Sequence, residues 1–457
     1  MISPRQTPFH GLENGIHLPY NLAQYCIYRS IDFHTSTSEH CLGEPAALTM
    51  DTPHFYTIQT PSGLKSGSVV SKANLKDMIY TIPSELNDYI IDFLHDDPKS
   101  LSSCSTTCRA WLPASRYHLF YRIVLTSPKI IASFRELAGD AKAIGTLVRE
   151  LHLSTTDSKP VEQQELSPKE NAAIFNNAFS SLIALETLQL TSLIIGAALQ
   201  SNLVFHFRSV TRLTLHYCHF PTFGSFVQLF RSFPNVKTLA LRGVSWEDSH
   251  HLTSAPINDA RTCKLESLSL GRDMDYSILS EWILAENIHA ELEYFSCSPY
   301  SEEDTAMLSS LVEAFDSSLK HFEIDWYSSA RLKEIILPPS FKFGEGENLQ
   351  SLELKIPIFD GQRLPWVTSL LSCISASALQ SIVFEIRVLG NLDAIDWESI
   401  DNILANPRFR HLQNVRLNVL IWRTATIVAE DLETLFRRLL PRLDSMNILM
   451  FSGGRRT

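Results

Sequence analysis

Cysteine and histidine side chains could hold a metal ion or act as nucleophiles in this chain, but their spacing favours neither use. Cys104 and Cys108 are four residues apart, which would place both on one side of a helix. No further His or Cys pair lies near them, so the four ligands of a structural zinc site are not together, and buried helix cysteines are far commoner. His250 and His251 fall in the polar stretch "SWEDSHHLTSAP", which is typical of an exposed loop.

Catalytic sequence motifs are also missing. The chain contains no G-x-x-x-x-G-K-[ST], H-E-x-x-H, G-x-S-x-G or G-x-G-x-x-G. The stretch "FGEGEN" around Gly344 and Gly346 lacks the third glycine and the preceding strand of a nucleotide-binding loop. The sequence therefore predicts a protein that is not an enzyme and that needs no metal or cofactor.

Length and charge narrow the class of protein. At 457 residues, with 44% apolar and 19% charged residues, the chain should be multidomain or an elongated repeat protein. A net charge of -11 argues against a nucleic-acid partner. The longest apolar stretch, Leu190 to Leu199, is too short for a bilayer, and "MISPRQTPFH" has no apolar leader, so no membrane association or secretion is expected. Eight scattered cysteines suit a reducing compartment, the cytoplasm or the nucleus.

An apolar pattern that recurs along the chain decides the predicted fold. An apolar residue is followed by others three and five positions later, as in "LETLQL", and successive copies start 25 to 37 residues apart. Because alternate residues of a strand point to the same side, each copy predicts a short strand with one buried face. The copies start at Val148, Leu185, Val210, Val236, Leu265, Leu292, Leu319, Leu349, Leu379, Leu412 and Leu443.

The segments between these copies have helical periodicity, as in "EEDTAMLSSLVEAFDSS" and "AEDLETLFRRLLP". The L-x-x-L-x-L pattern at this spacing resembles the leucine-rich repeat. The resemblance implies an α/β fold, a solenoid lined by a curved parallel sheet over residues 148–451. Only Cys218 occupies the position where short repeats carry Asn or Cys, so the solenoid is expected to be irregular.

Two other regions precede the repeats. Residues 1–75 are rich in turn and breaker residues and are predicted to be mostly disordered. Residues 81–121 contain three helix-like pieces, with a start signal in "IPSEL" and another at Asp97, the predicted N-cap of "PKSL". A unit of roughly 40 residues is marginal by itself, so part of its apolar surface should meet another element or another protein. Residues 122–147 are predicted to form a helical connector.

The elements "IPSEL", "IIDFL", "DDPKSL" and "CSTTCRAW", in this order, are similar to the F-box of fungal F-box proteins. The resemblance implies that residues 81–121 bind the Skp-type linker subunit of a cullin–RING ubiquitin ligase, while the repeats capture a protein substrate. Such an adaptor does no chemistry and acts by proximity. The matching positions make these residues the candidates for linker binding: Pro83, Leu86, Ile90, Leu94, Leu101, Cys104 and Trp111.

Alternatives to this function remain open at the level of sequence. The same apolar residues could instead pack against one another and against the first repeat. The protein would then be a leucine-rich-repeat scaffold or regulatory binding protein whose helical piece caps the solenoid. Binding to the linker subunit separates the two hypotheses.

Strand geometry also predicts a substrate-binding surface. If the third and fifth positions of each copy are buried, the positions between them face the concave side. Early copies place Arg212, His216 and Arg242 there, whereas later copies place acids. An acidic patch for a basic substrate segment is one interpretation, and an ordinary solvated face is the other. The candidate substrate-binding residues are Glu323, Asp325, Glu353 and Glu385, with Tyr294 and Trp326 as aromatic anchors.

Overall fold

The computed structural model describes residues 83–140, 142–154, 179–248, 264–326, 348–359, 361–374, 377–421 and 432–455. The predicted disordered region 1–75 lies outside these ranges, as do His250, His251, Gly344 and Gly346. The chain divides into two units, Met1–Leu119 and Phe120–Thr457.

Three helices form the described part of the first unit. The second helix starts where the sequence predicts, because Oδ1 of Asp97 accepts hydrogen bonds from the backbone N–H groups of Lys99 and Ser100 at 3.1 and 3.2 Å. Hydrogen bonds from Ser100 hold the pKa of the Asp97 carboxyl below its usual value. The helices are α1 (Ser84–Asp92), α2 (Pro98–Thr107) and α3 (Leu112–Tyr121), and α3 runs two residues into the second unit.

A twelve-stranded parallel sheet forms the frame of the second unit, and each strand between the two edges pairs with the strands of the preceding and following repeats. The predicted α/β class with a long parallel sheet is therefore confirmed. The strands are β1 (Arg122–Leu125), β2 (Glu150–Ser154), β3 (Thr187–Thr191), β4 (Arg212–His216), β6 (Thr238–Arg242), β8 (Ser267–Leu270), β9 (Tyr294–Cys297), β10 (His321–Asp325), β11 (Ser351–Ile358), β12 (Ser381–Val388), β13 (Asn414–Ile421) and β14 (Leu449–Arg455). Two further parallel strands, β5 (His219–Thr222) and β7 (Ser245–Asp248), pair with each other.

The predicted leucine register is confirmed by burial. Leu268 and Leu270 of β8 are 1% exposed, while Ser269 between them is half-buried. Leu352 and Leu354 of β11 are fully buried on either side of Glu353. The paired strands align these leucines in rows, so one side of the sheet is a continuous apolar layer.

Helices return the chain between strands and cover the apolar side of the sheet. The helix after β5 shows how: Phe226 and Phe230 meet Trp282 of the next long helix, with ring centroids 5.3 and 5.2 Å apart. The helices of this unit are α4 (Pro128–Asp140), α5 (Lys142–Gly145), α6 (Ala197–His206), α7 (Phe223–Arg231), α8 (Tyr276–Ala285), α9 (Glu302–Phe315), α10 (Pro365–Cys373), α11 (Trp397–Leu404), α12 (Leu432–Leu439) and α13 (Pro441–Ser445). Short 3-10 turns lie at Ile288–Glu291, Leu392–Ala394 and Pro407–Phe409.

The two ends of the sheet differ from the sequence prediction. The stretch predicted to be a helical connector, 122–147, begins with strand β1, which pairs with β2.

The eleventh copy of the pattern, starting at Leu443, is not a strand. Leu443 lies in α13, whose first backbone N–H groups donate to the buried carboxylate of Asp401 at 3.0 Å, and the final strand starts six residues later. The carboxylate satisfies donors that a helix start leaves unpaired, and this favours helix over strand there.

Candidate functional site

Helix α1 presents an apolar row to solvent. Leu86, Tyr89, Ile90 and Phe93 are 51%, 60%, 43% and 69% exposed, and their spacing of three, four and seven places them on one side of the helix. The rings of Tyr89 and Phe93 meet edge to face with centroids 4.8 Å apart. A contiguous apolar surface of this kind is typical of a protein-interaction site. We call these four residues the α1 apolar row.

Polar contacts within the first unit hold α1 in place. The indole Nε1 of Trp111 donates to Oδ1 of the buried Asn87 at 3.0 Å. Nε2 of His118 on α3 lies 2.7 Å from Oδ1 of Asp92. Both contacts fix the position of α1, one relative to Trp111 and the other relative to α3. The α1 apolar row therefore keeps a fixed position on the surface of this unit.

The predicted linker-binding residues separate into two groups in the structure. Pro83, Leu86 and Ile90 are exposed. Leu101 and Cys104, by contrast, are 1% and 8% exposed and pack with Ile91 in the core of the unit, with Leu94 and Trp111 half-buried against them. Leu101 and Cys104 are covered because α2 turns its apolar side towards Ile91 of α1, which is the packing alternative that the sequence left open. Tyr89 and Phe93 lie on the exposed side and were missed, although the helical spacing from Leu86 could have indicated them.

The second surface is the side of the twelve-stranded sheet opposite its buried leucines, here called the polar face. Glu323, Glu353 and Glu385 lie on β10, β11 and β12, and the strand pairing brings them to neighbouring positions. Asp325 ends β10, in register with Lys355. The predicted clustering of these four acids is therefore present.

Glu323 is the centre of this cluster. Its Oε2 accepts a hydrogen bond from the hydroxyl of Tyr294 at 2.5 Å. Its Oε1 accepts from the hydroxyl of Ser296 at 3.0 Å and from Nζ of Lys355 at 2.6 Å. Both carboxylate oxygens are thus satisfied by groups from the neighbouring strands.

Cations of the chain itself also neutralise the other acids. Glu353 lies 3.7 Å from Nζ of Lys355, and Glu385 lies 2.7 Å from the guanidinium of Arg387. Asp325 lies between two arginines, 3.7 Å from Arg387 and 3.8 Å from Arg272. Each of the four acids therefore has a cation of the chain itself beside it. Sequence spacing did not indicate this network, because it predicts strand register but not where long side chains reach.

The pKa values follow from the same contacts. Burial opposes ionisation of Glu323, but hydrogen bonds from Lys355 and Tyr294 outweigh it and hold the pKa of Glu323 below its usual value. Burial raises the pKa of Glu353, and the nearby Glu323 carboxylate raises it further. Burial works against the charge of Lys355, yet its hydrogen bond to Glu323 leaves the pKa of Lys355 raised. Lys355 is therefore charged at neutral pH and bound to Glu323.

The two predicted aromatic anchors have different surroundings. Tyr294 is half-buried on the polar face, where burial and the Glu323 carboxylate raise its pKa, so its hydroxyl stays protonated and donates. Trp326 is 4% exposed and its ring centroid lies 4.9 Å from that of Trp366 on α10. Trp326 is thus a core residue, because it continues the alternation that buries Phe322 and Ile324.

The residues that the structure describes contain neither a candidate metal site nor a membrane-spanning helix. Among the described residues, no three His, Cys, Asp or Glu side chains are grouped closely enough to hold a metal ion. None of the helices in those ranges combines the length and the apolar character needed to cross a bilayer.

Comparison with known proteins gives little further information. No known protein family matches the chain, and no curated protein does. Among solved structures, the chain is similar to one titled "Crystal structure of Rad7 and Elc1 complex in yeast", with a TM-score of 0.34 and 13% identity over 76% of this chain and 90% of that chain. A likeness of this size transfers neither function nor partner.

Proposed function

We propose that the protein is a substrate-recognition adaptor of a Skp/cullin/F-box ubiquitin ligase, of the fungal F-box type, with degenerate leucine-rich repeats. In this proposal the helical unit binds the Skp-type linker subunit and the polar face of the sheet binds a protein substrate. The adaptor is not an enzyme and works in the cytoplasm or the nucleus.

The α1 apolar row carries the proposal. Four large apolar side chains on one small helical unit remain at least 43% exposed, although the unit has a buried core of its own. Burying a side chain of this size stabilises a complex by about 1.5–3 kcal/mol, so a partner helix that covers the row has a large driving force. Polar contacts hold the row in place, so little conformational entropy is lost on binding.

The sequence order supports the division of labour. The helical unit precedes the repeats, and the repeat unit offers a long polar face made from side chains of twelve neighbouring strands. A surface of that kind can recognise an extended segment without any catalytic group.

Co-purification with the linker subunit tests the proposal. The full chain is co-expressed with a Skp-type linker, as wild type and as the double variant Leu86→Glu with Phe93→Glu. Both side chains are exposed, so folding is retained, but two charges now face an apolar contact. We expect at least about a tenfold loss of linker in the double variant.

A matched control uses an equally exposed aromatic residue of the repeat unit. Phe205 on α6 is 71% exposed, and Phe205→Glu should leave linker binding unchanged. Retention of the linker by the double variant, or equal loss in the Phe205 variant, would contradict the proposed role of the helical unit. A scaffold whose helices merely cap the repeats would bind no linker in any of the three forms.

A further inference from the structure

The polar face has a basic part that the acidic network does not neutralise. From β1 to β8, its outward-facing strand positions carry one carboxylate, Glu150, which lies 3.9 Å from Arg122. Arg212 is exposed at the start of β4 and Arg242 is half-buried at the end of β6. Neither Arg212 nor Arg242 makes an ion pair with any residue that the structure describes.

Arg242 is held in a fixed position by its neighbours. Its Cζ lies 5.6 Å from the centroid of the Tyr217 ring, within the range of a cation–π contact. Two glycines permit this arrangement. A Cβ at Gly243, whose φ is +60°, would lie 2.5 Å from the Tyr217 ring, and one at Gly271 would lie 2.8 Å from Cβ of Arg242. The Arg242 guanidinium therefore lies over the Tyr217 ring, on a side chain that is half-buried as a whole.

The two arginines are separated along the strand direction. In the paired register, Arg212 stands opposite Thr238 and Arg242 stands opposite His216. The two backbone positions therefore differ by one strand and by four residues, or about 13 Å at about 3.3 Å per residue. Two cations so far apart meet two separate anionic groups better than one.

We propose that this part of the polar face docks an extended acidic peptide segment whose two carboxylate side chains are four positions apart, one on Arg212 and one on Arg242. The inference names a substrate class for the proposed adaptor and so rests on the proposed function. Guanidinium groups bind carboxylates in a two-pronged geometry, and an extended chain of four residues spans about the same distance as the two arginines.

Other anions fit this arrangement less well. A single phosphate is bound best by donors that converge on one point. Arg212 instead begins strand β4, while Arg242 ends the neighbouring strand β6. A nucleic acid would also extend over β10 to β12, where Glu323, Glu353 and Glu385 stand, on a chain of net charge -11.

Direct binding of short labelled peptides tests the inference. The probe is a fluorescent nine-residue peptide of Ser, Thr and Gly with two glutamates four positions apart, measured by anisotropy with the purified full chain at low and high ionic strength. The double variant Arg212→Gln with Arg242→Gln should bind the probe about five- to tenfold more weakly, and salt should weaken wild-type binding towards the same level. Arg242→Lys, which keeps the charge but loses the two-pronged contact, should bind the probe more weakly than the wild type and more tightly than the double variant.

Arg416 provides the matched control. It is exposed on the same polar face, on β13, and Arg416→Gln removes the same charge far from the proposed site. We expect no change in binding for this variant, and weaker binding for a peptide with two adjacent glutamates.

Three results would overturn the inference. They are unchanged binding by the double variant, equal loss in the Arg416 variant, and tighter binding of a peptide with one phosphoserine and no glutamate. The outcome is separate from that of the linker experiment, because the peptide assay contains no linker subunit and leaves the α1 apolar row intact.

Discussion

Replacing Lys355 by methionine should destabilise the repeat unit by about 2 kcal/mol at neutral pH. Lys355 Nζ lies 2.6 Å from Glu323, and the two side chains are only 21% and 15% exposed. A hydrogen bond between charged groups at a partly buried site contributes about 1.5–3 kcal/mol, and its loss leaves Glu323 facing Glu353 without a cation. Methionine keeps most of the aliphatic stem, so the change reports mainly on the charge.

A lysine–glutamate ion pair with the same N–O distance, but at the surface, provides the control for this prediction. Lys320 Nζ also lies 2.6 Å from a carboxylate, that of Glu293, but these side chains are 40% and 53% exposed. Solvent screening limits such a pair to about 0.5 kcal/mol, so Lys320→Met should have a small effect. The measurement is the free energy of unfolding in urea, followed by tryptophan fluorescence.

The pH dependence gives this prediction a second readout. The folded pKa of Glu323 is depressed, so its contribution is present above the ordinary glutamate pKa of about 4.3 and is lost as pH falls through the folded value. The difference between wild type and Lys355→Met should therefore shrink on acidification. Equal costs for Lys355→Met and Lys320→Met, or a difference that grows in acid, would refute the argument.

Three further predictions test the packing described above. Asp401→Ala should lower the free energy of unfolding by about 2 kcal/mol, because two backbone N–H groups of α13 lose a buried charged acceptor; thermal unfolding checks it, and no loss would contradict the capping role. Gly243→Ala should cost about 1–2 kcal/mol, since its φ is positive and the new methyl would meet the Tyr217 ring; a neutral effect in chemical unfolding would argue against that close approach. Leu101→Ala should destabilise the helical unit by about 2–5 kcal/mol, whereas Leu86→Ala, at an exposed site, should change it by less than about 0.5 kcal/mol; amide hydrogen exchange distinguishes the two, and equal protection in both variants would contradict the assigned core.

The sequence was most informative where one physical constraint controls a whole strand. Alternation of buried and outward residues is forced by strand geometry, so ten of the eleven pattern copies fall on observed strands. The strand predicted at Leu443 was wrong because apolar residues three apart suit a helix as well as a strand. The contact that favours the helix is with Asp401, more than 40 residues away in the sequence. Pro441 was the local signal, since proline is favoured in the first turn of a helix.

The two interaction surfaces were predicted less completely. Helical spacing alone cannot say which side of α2 faces α1, so the sequence left open whether Leu101 and Cys104 contact a linker subunit or pack within their own unit, where the structure places them. On the polar face, register placed the acids together correctly. The reach of Lys355, Arg387 and Arg272 depends on side-chain conformations that strand periodicity does not encode.

The strand order of the large sheet also bears on how the protein can be shortened and how it assembles. Because each strand of the large sheet pairs with the strands of the adjacent repeats, the ladder can grow outward from any repeat, without waiting for distant segments of the chain to meet. A chain that stopped after Ile421 would lose α12, α13 and β14 and would bare one edge of β13, while the pairing from β1 to β13 would remain. Progressive truncation from that end should therefore remove stability in steps, one repeat at a time, rather than abolish folding at a single position.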